Sequence, residues 1–284
     1  QRPNILYILC DDVGWSDTTL YGTTRLYETP NIEKLAQRGM LFTQAYSAGP
    51  LCSPTRGSIM SGVYPARSGL TEPAGHLEEV RLKAEPRATA PPWQRAANPV
   101  SATRLDTKYP TLAEELRKAG YRTAHFGKWH LGREPFDPLH RGFESDIPHS
   151  YQCCQPGGFL GPWKWSEGTP YDSGKPGEYV DFRMTEEAIR FMRAHRQEPF
   201  FCNLWLYSVH GDPQTTKELE AKYRKKIRSL GPDYPQRDPI TAGLIEQMDG
   251  VVGRVMKAVD DMGIAQRTIV VFASDNGGWC WPSG

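Results

Sequence analysis

The sequence predicts an α/β protein with a mainly parallel central sheet and helices on both faces. Three observations carry that expectation. Residues 4–10, 199–209 and 268–273 are strand-sized, mostly apolar runs, as strands covered on both sides require, and 121–127 reads as a fourth strand. Segments with apolar residues at helical spacing alternate with these runs, the order of a parallel sheet with crossover helices. Polar, chemistry-bearing residues stand just past all four runs, where open α/β sheets bind ligands.

Composition narrows the field further. Of 284 residues, 38% are hydrophobic and 24% charged, an ordinary globular balance. Lys plus Arg is 34 and Asp plus Glu is 33, so a net charge of +1 gives no electrostatic basis for binding nucleic acid or an anionic membrane. No apolar run approaches the ~18 residues of a membrane span. Gln1-Arg2-Pro3 leads straight into an apolar strand, so any export signal is expected to have been removed or to lie outside this sequence. Six cysteines (Cys10, Cys52, Cys153, Cys154, Cys202, Cys280) are too few for a disulfide scaffold, and none forms a spaced CxxC pair. Cys10 and Cys202 lie inside apolar strands and read as buried thiols. Vicinal Cys153 and Cys154 read as ordinary loop thiols, with pairing or redox activity as the alternative.

Taken in order, the first strand ends in Asp11-Asp12. Thr29-Pro30 then opens a helix with Ile32, Leu35 and Ala36 on one face and Gly39 as its stop. In Leu51-Cys52-Ser53-Pro54-Thr55-Arg56-Gly57, a helix can start at Pro54 or Thr55 and run through Met60, which places Cys52 at its N-terminal end. Thr111 and Glu114 form a capping box for a helix that Gly120 ends. Residues 181–196 have Ala188, Ile189 and Met192 facing inward. Leu244, Met248, Val251, Val252, Val255 and Val259 mark a long amphipathic helix before the last strand. Two stretches break the rhythm: 71–107, with five prolines, and 153–177, rich in Gly, Pro, Trp and Tyr. Loops this long in a compact domain shape binding sites or are disordered.

Topology therefore predicts one rim carrying Asp11, Asp12, Lys128, His130, His210, Asp275 and Asn276. Three carboxylates crowded there without a cation would have raised pKa values and cost several kcal/mol. A hard divalent ion resolves the conflict, and oxygen-only ligation favours Ca²⁺ or Mg²⁺ over zinc or copper. Cys52, at a helix N-terminus with Arg56 nearby, reads either as a low-pKa nucleophilic thiol or as the site of a modification.

The segment Cys52-Ser53-Pro54-Thr55-Arg56 resembles the C-x-P-x-R signature of type I sulfatases, and Gly127-Lys128-Trp129-His130-Leu131-Gly132 resembles their second signature. The opening Arg2-Pro3-Asn4-Ile5 with Asp11-Asp12, and Ser274-Asp275-Asn276-Gly277-Gly278, are also similar to that family, in its order and across nearly the whole chain. The resemblance implies an alkaline-phosphatase-like fold and hydrolysis of sulfate esters. It implies that Cys52 is oxidised to Cα-formylglycine by a formylglycine-generating enzyme, and that the hydrated aldehyde attacks sulfur with one hydroxyl and expels sulfate through the other. It places Asp11, Asp12, Asp275, Asn276 and residue 52 around the metal, Arg56 beside the nucleophile, and Lys128 on sulfate oxygens. His130 would assist elimination and His210 would protonate the departing alcohol. The family is exported to periplasm, extracellular space or lysosome, and the same location is expected here.

Two departures stand out. Family members carry a further sulfate-binding lysine after the Asp-Asn segment and a smaller C-terminal domain. Neither lies within 1–284, so this stretch is expected to be a catalytic domain with insertions at about 71–107 and 153–177, cut from a longer chain. For the substrate, His140, Arg141, Trp163 and Trp165, with His76, His149, Tyr151 and Tyr171, are candidates to read a sulfated carbohydrate, with aryl sulfate as the second reading. A phosphatase or phosphonate monoester hydrolase of the same superfamily, and a non-catalytic carbohydrate-binding relative, are the rival functions.

Overall fold

A computed structural model describes residues 2–165 and 167–278; Cys280 lies outside the described residues. Five strands form one sheet: β1 (Asn4–Cys10), β2 (Arg122–Gly127), β3 (Ser145–Ile147), β4 (Phe200–Trp205) and β5 (Thr268–Ser274). Their order is β3-β2-β4-β1-β5. Every pairing is parallel, β1 lying centrally with Ile5 opposite Phe201 on one side and Ile269 on the other. All five strands thus end at the same rim.

Alternation along the strands sorts helices to the two faces. Leu6, Ile8 and Cys10 of β1, with Cys202 and Leu204 of β4, pack against α1 (Pro30–Gln37), α5 (Val180–Ala194), α6 (Lys217–Leu230) and α7 (Pro239–Asp261). Ile5, Tyr7 and Leu9 point the other way. There they meet α2 (Cys52–Ser61) through Met60 and α4 (Leu112–Lys118) through Ala113 and Leu116. A single turn, α3 (Pro65–Ser68), follows α2.

Local chemistry explains the helix boundaries. Thr111 accepts from the Glu114 N–H at 3.1 Å while Glu114 accepts from the Thr111 N–H at 2.8 Å, the reciprocal box expected from sequence. Thr29 precedes α1 but does not cap it with its side chain, because its hydroxyl accepts from Thr19 N–H instead. Helix α7 starts five residues before its apolar stripe, where Asp238 accepts from Ile240 and Thr241 N–H. Two elements lacked a sequence signal. Helix α6 buries only Tyr223 and Ile227, so its apolar stripe is thin, and β3 has three residues.

Residues 71–107 form no helix and no strand beyond an isolated bridge between Glu85 and Val100. Side chains fasten them to the domain: buried Arg104 donates to the carbonyls of Ala74, Leu77 and Thr103. Among the described residues, no helix is long and apolar enough to cross a membrane.

One backbone contact ties the sheet to its rim. Gly127 has φ +102°, and a Cβ there would lie 1.9 Å from the carbonyl oxygen of Trp205. Gly62, at φ +68°, has open space around the same position. Gly127→Ala is expected to cost about 3 kcal/mol or more, from backbone strain plus collision, and Gly62→Ala only about 1 kcal/mol. Urea unfolding of the two variants checks this; equal losses would show that the Trp205 contact yields easily.

Candidate active site

The rim gathers the acidic residues first. Asp11 and Asp12 follow β1, Asp275 follows β5, and one carboxylate oxygen from each lies within 4.8 Å of the others. Asp12 sits in the left-handed region at φ 60°, a strain that functional sites retain. Its Oδ1 accepts from Asn276 Nδ2 at 2.5 Å, and its N–H donates to Asp275 Oδ1 at 3.2 Å. Among the described residues, Asp12 Oδ2 and Asn276 Oδ1 are buried with no hydrogen-bond partner. Burial pushes Asp12 upward, and burial together with the Asp11 charge pushes Asp275 up to about 6. Orphaned oxygen acceptors among buried carboxylates fit a hard divalent cation, which would satisfy both the lone pairs and the charge.

Two buried cations brace this cluster. Arg56, on α2, donates from Nε to Asp275 Oδ2 at 3.0 Å, from Nη1 to the Lys128 carbonyl at 2.8 Å, and from Nη2 to Asp11 Oδ1 at 3.2 Å. Its guanidinium also lies 5.0 Å from the Trp205 ring centroid. Lys128, two positions before His130, pairs through Nζ with Asp11 Oδ2 and reaches 3.4 Å from Cys52 Sγ. Burial opposes the charge on Lys128, but Asp11 together with Cys52 and Asp275 outweighs it and holds the ammonium above the usual lysine range.

Cys52 occupies the first position of α2, two residues before the helix start expected from Pro54, with Leu51 as N-cap. Its Sγ is 3.5 Å from Asp11 Oδ1. Burial, reinforced by Asp11, pushes this thiol up to about 12. Of the two chemistries open on sequence, a low-pKa thiolate is the one this environment opposes.

Two histidines close the rim. His210 Nε2 stands 3.7 Å from Asp12 Oδ2, and burial with the charges of Lys128 and Arg56 pushes it down to about 3. His130, at φ 57°, is held well below the usual histidine value by burial and Lys128. Its Nε2 lies 2.9 Å from His76 Nδ1.

Several supporting residues went unread in the sequence. Fully buried Asp181 accepts from the N–H groups of Tyr207 at 2.8 Å and Ser208 at 3.0 Å, as well as from the Ser208 hydroxyl and Tyr179 OH at 3.0 Å. It fixes the turn that presents His210. A carboxylate opening a helix resembles a cap, so only three-dimensional contact separates the two roles. Ser53 Oγ donates to the His130 carbonyl at 2.7 Å and accepts from Gly75 N–H at 3.3 Å, joining α2, the rim and the 71–107 segment.

The substrate candidates fare differently. Arg141 is buried and spends its guanidinium on Glu114, the Leu105 carbonyl and the Tyr109 carbonyl, so it clasps the fold instead of facing a ligand. Trp163 is buried in the core and donates to the Phe159 carbonyl, and Trp165 packs beside it while donating to the Asp172 carbonyl; neither forms an open stacking platform. His140 is half exposed, with Nδ1 held by Asp137 at 2.7 Å. His149 is held likewise by Asp146 at 2.7 Å. His76 and Tyr151 do share a cavity of about 210 Å³ with Gln152, Cys153, Cys154 and Gln155. A larger groove of about 310 Å³, lined by Lys34, Arg38 and Asp260, contains none of the rim residues.

A protein-family model described as Sulfatase matches residues 3–279. The chain belongs to the sulfatase family. It is 29% identical to rat N-acetylgalactosamine-6-sulfatase over 98% of its length, covering 50% of that protein. It is 30% identical to a sulfatase of Formosa agariphila, with 100% of this chain and 59% of that one covered. Human arylsulfatase A is 30% identical, with 98% and 52% covered. Among solved structures, Ps i-CgsB superposes at a TM-score of 0.72 with 25% identity, covering 98% of this chain and 59% of that chain. The PsFucS1 sulfatase from Pseudoalteromonas sp. superposes at 0.69 with 25% identity, 98% and 56%. The chain thus spans about half the length of the curated relatives it matches.

The raised carboxylate gives a pH signature. An acid pushed up to about 6 holds its proton more tightly folded than unfolded, so its contribution to stability is full below about pH 4 and is lost as pH rises through 6. Without divalent ions, wild-type stability relative to Asp275→Asn should fall across that window. Parallel melting curves from pH 4 to 7 measure it, and a constant difference would contradict the crowding of Asp275.

Proposed function

We propose that this chain is the catalytic part of a sulfatase that hydrolyses sulfate esters of carbohydrate. The observation that carries the reading is the convergence of Asp11, Asp12, Asp275 and Asn276 with Arg56 and Lys128 around position 52, at the ends of parallel strands far apart in sequence. Residues 1–284 act as the catalytic domain, with 71–107 and 153–177 as its insertions. The four oxygen donors would hold Ca²⁺, with Mg²⁺ as the alternative, and such an ion supplies Lewis acidity toward a sulfate oxygen. Cys52 would be converted to formylglycine by a maturation enzyme before or during export, which supplies a hydrated aldehyde as nucleophile.

The chain's own residues then divide the work. Arg56 fixes Asp11 and Asp275 in place, so the oxygen donors are arranged before substrate arrives. Lys128 directs an ammonium toward position 52, where an anionic sulfate would lie, and Asp11 holds that ammonium charged. His130, anchored through its carbonyl by Ser53, stands ready to take a proton as sulfate is released. His210 protonates the leaving oxygen. Its imidazolium is disfavoured by burial first and then by Lys128 and Arg56; the negative charge of a bound sulfate ester opposes all three and shifts His210 toward the acid form once substrate is in place.

Carbohydrate is supported by two features. The cavity beside His130 is lined by His76, Tyr151, Gln152 and Gln155, hydrogen-bonding groups suited to hydroxyls. A relative is named for a sulfated amino sugar, and Ps i-CgsB has been solved in complex with k-i-k-neocarrahexaose.

Turnover, mass and stability measurements test this. Cys52→Ala should abolish hydrolysis of nitrophenyl sulfate while far-UV spectra stay unchanged, and intact mass should show a thiol replaced by an aldehyde in the active wild type. Faster turnover of nitrophenyl phosphate than sulfate would move the chain to the phosphatase branch, and no turnover with an unmodified Cys52 would favour a carbohydrate binder. His210→Ala should lose about 10²-fold or more on a sugar sulfate but far less on nitrophenyl sulfate, whose leaving group needs little protonation; equal losses would remove the acid role. Ca²⁺ at 100 times its Kd should stabilise the fold by about 2.7 kcal/mol, and chelation should reverse this.

A further inference from the structure

A second donor cluster, of different chemistry, sits at the mouth of the oxygen-lined site. One ring nitrogen each of His76 and His130 and the Cys153 Sγ all lie within 4.8 Å of one another. They come from three separate segments: the 71–107 insertion, the rim after β2, and the 153–177 loop. Two imidazole nitrogens and a sulfur form the donor set of zinc, whereas the carboxylate cluster beneath suits a hard ion. We propose that His76, His130 and Cys153 form a zinc site at the entrance to the active site, and that zinc bound there inhibits the enzyme.

Geometry favours this reading. At Zn–N of about 2.05 Å, tetrahedral nitrogens stand about 3.4 Å apart. His76 Nδ1 and His130 Nε2 are 2.9 Å apart, so a small separation of the rings admits the ion between them. The neighbouring cavity of about 210 Å³ gives an entry path and leaves a fourth position for water. On binding, the ring that donates the shared hydrogen bond moves that proton to its outer nitrogen by way of solvent, so both rings stay neutral and each offers zinc a lone pair. The Cys153 thiol loses its proton to solvent. The neighbouring Cys154 thiol and the Lys128 charge both favour the Cys153 thiolate. The charged setting absent from the local sequence is supplied by Lys128 from across the fold.

Inhibition follows because zinc on one His130 nitrogen and a proton on the other would leave that imidazole no free lone pair for the proton it is proposed to take; this consequence rests on the sulfatase reading, whereas zinc binding itself does not. The test uses the full chain reduced with a phosphine, saturated with Ca²⁺ and titrated with Zn²⁺ against a chromogenic chelator. One Zn²⁺ per chain is expected, bound at least tenfold more weakly by both Cys153→Ser and His76→Ala, with zinc shielding Cys153 from iodoacetamide in peptide mass spectra. Turnover, taken relative to each protein's own zinc-free rate, should lose its zinc sensitivity in parallel. Unchanged zinc affinity in both variants, absence of binding, or full labelling of Cys153 in zinc would overturn the site. Zinc binding without inhibition would keep the site and count against the part given to His130.

Discussion

Arg56 is the interaction on which the rest of the rim depends. Three carboxylates and an ammonium cannot share a dry corner of a protein unless their charges are interleaved, and the guanidinium does the interleaving. It bonds Asp11 from β1, Asp275 from β5 and the backbone carbonyl of Lys128 after β2, so one side chain on α2 locks three strand ends together. Leaving such partners buried and unpaired costs about 3–5 kcal/mol, which makes the arrangement close to all-or-none. Even with Arg56 and Lys128 in place, the three carboxylates leave a surplus negative charge. That surplus, and the orphaned oxygens of Asp12 and Asn276, is the physical demand for a cation.

Much of this was legible in the sequence because parallel topology converts order along the chain into position in space. Once the runs ending at Cys10, Gly127 and Ser274 are recognised as parallel strands, Asp11, Lys128 and Asp275 must share a rim. The helix start at Cys52 was readable to within two residues from Pro54. What sequence could not supply was the direction in which individual side chains point. Arg141 and Trp163 look like ligand readers by type and loop position, yet Glu114 and the Phe159 carbonyl hold them inward. Asp181 looks like a helix cap, and its carboxylate instead organises the turn before His210. Helix α6 escaped because ion pairs from Glu28 to Lys222 and Lys226 supplement a stripe with only two buried residues.

Strain is concentrated at the same rim. Asp12 and His130 are both non-glycine residues in the left-handed region, and Gly127, at the end of β2, tolerates the Trp205 carbonyl only because it lacks a Cβ. These conformations persist because hydrogen bonds over-determine them: Asp275 holds the Asp12 N–H, and Ser53 holds the His130 carbonyl. The scaffold's stability is therefore spent on fixing donors in place before a ligand arrives, which the proposed sulfuryl transfer requires for electrostatic stabilisation.

The 71–107 insertion is part of that scaffold as well as a wall of the cavity. Ser53 bridges the His130 carbonyl and the Gly75 N–H, and a Cβ on Gly75 would lie 1.9 Å from that same carbonyl oxygen. Arg104 meanwhile holds the carbonyls of Ala74 and Leu77 on either side of His76. A change at 74–77 is thus transmitted directly to His130 and to the first turn of α2. Residues 86–99 carry no such coupling: they run exposed beyond the Glu85–Val100 bridge. Sequence change in that outer span therefore leaves the rim geometry alone, whereas the inner span must move with the rim or not at all.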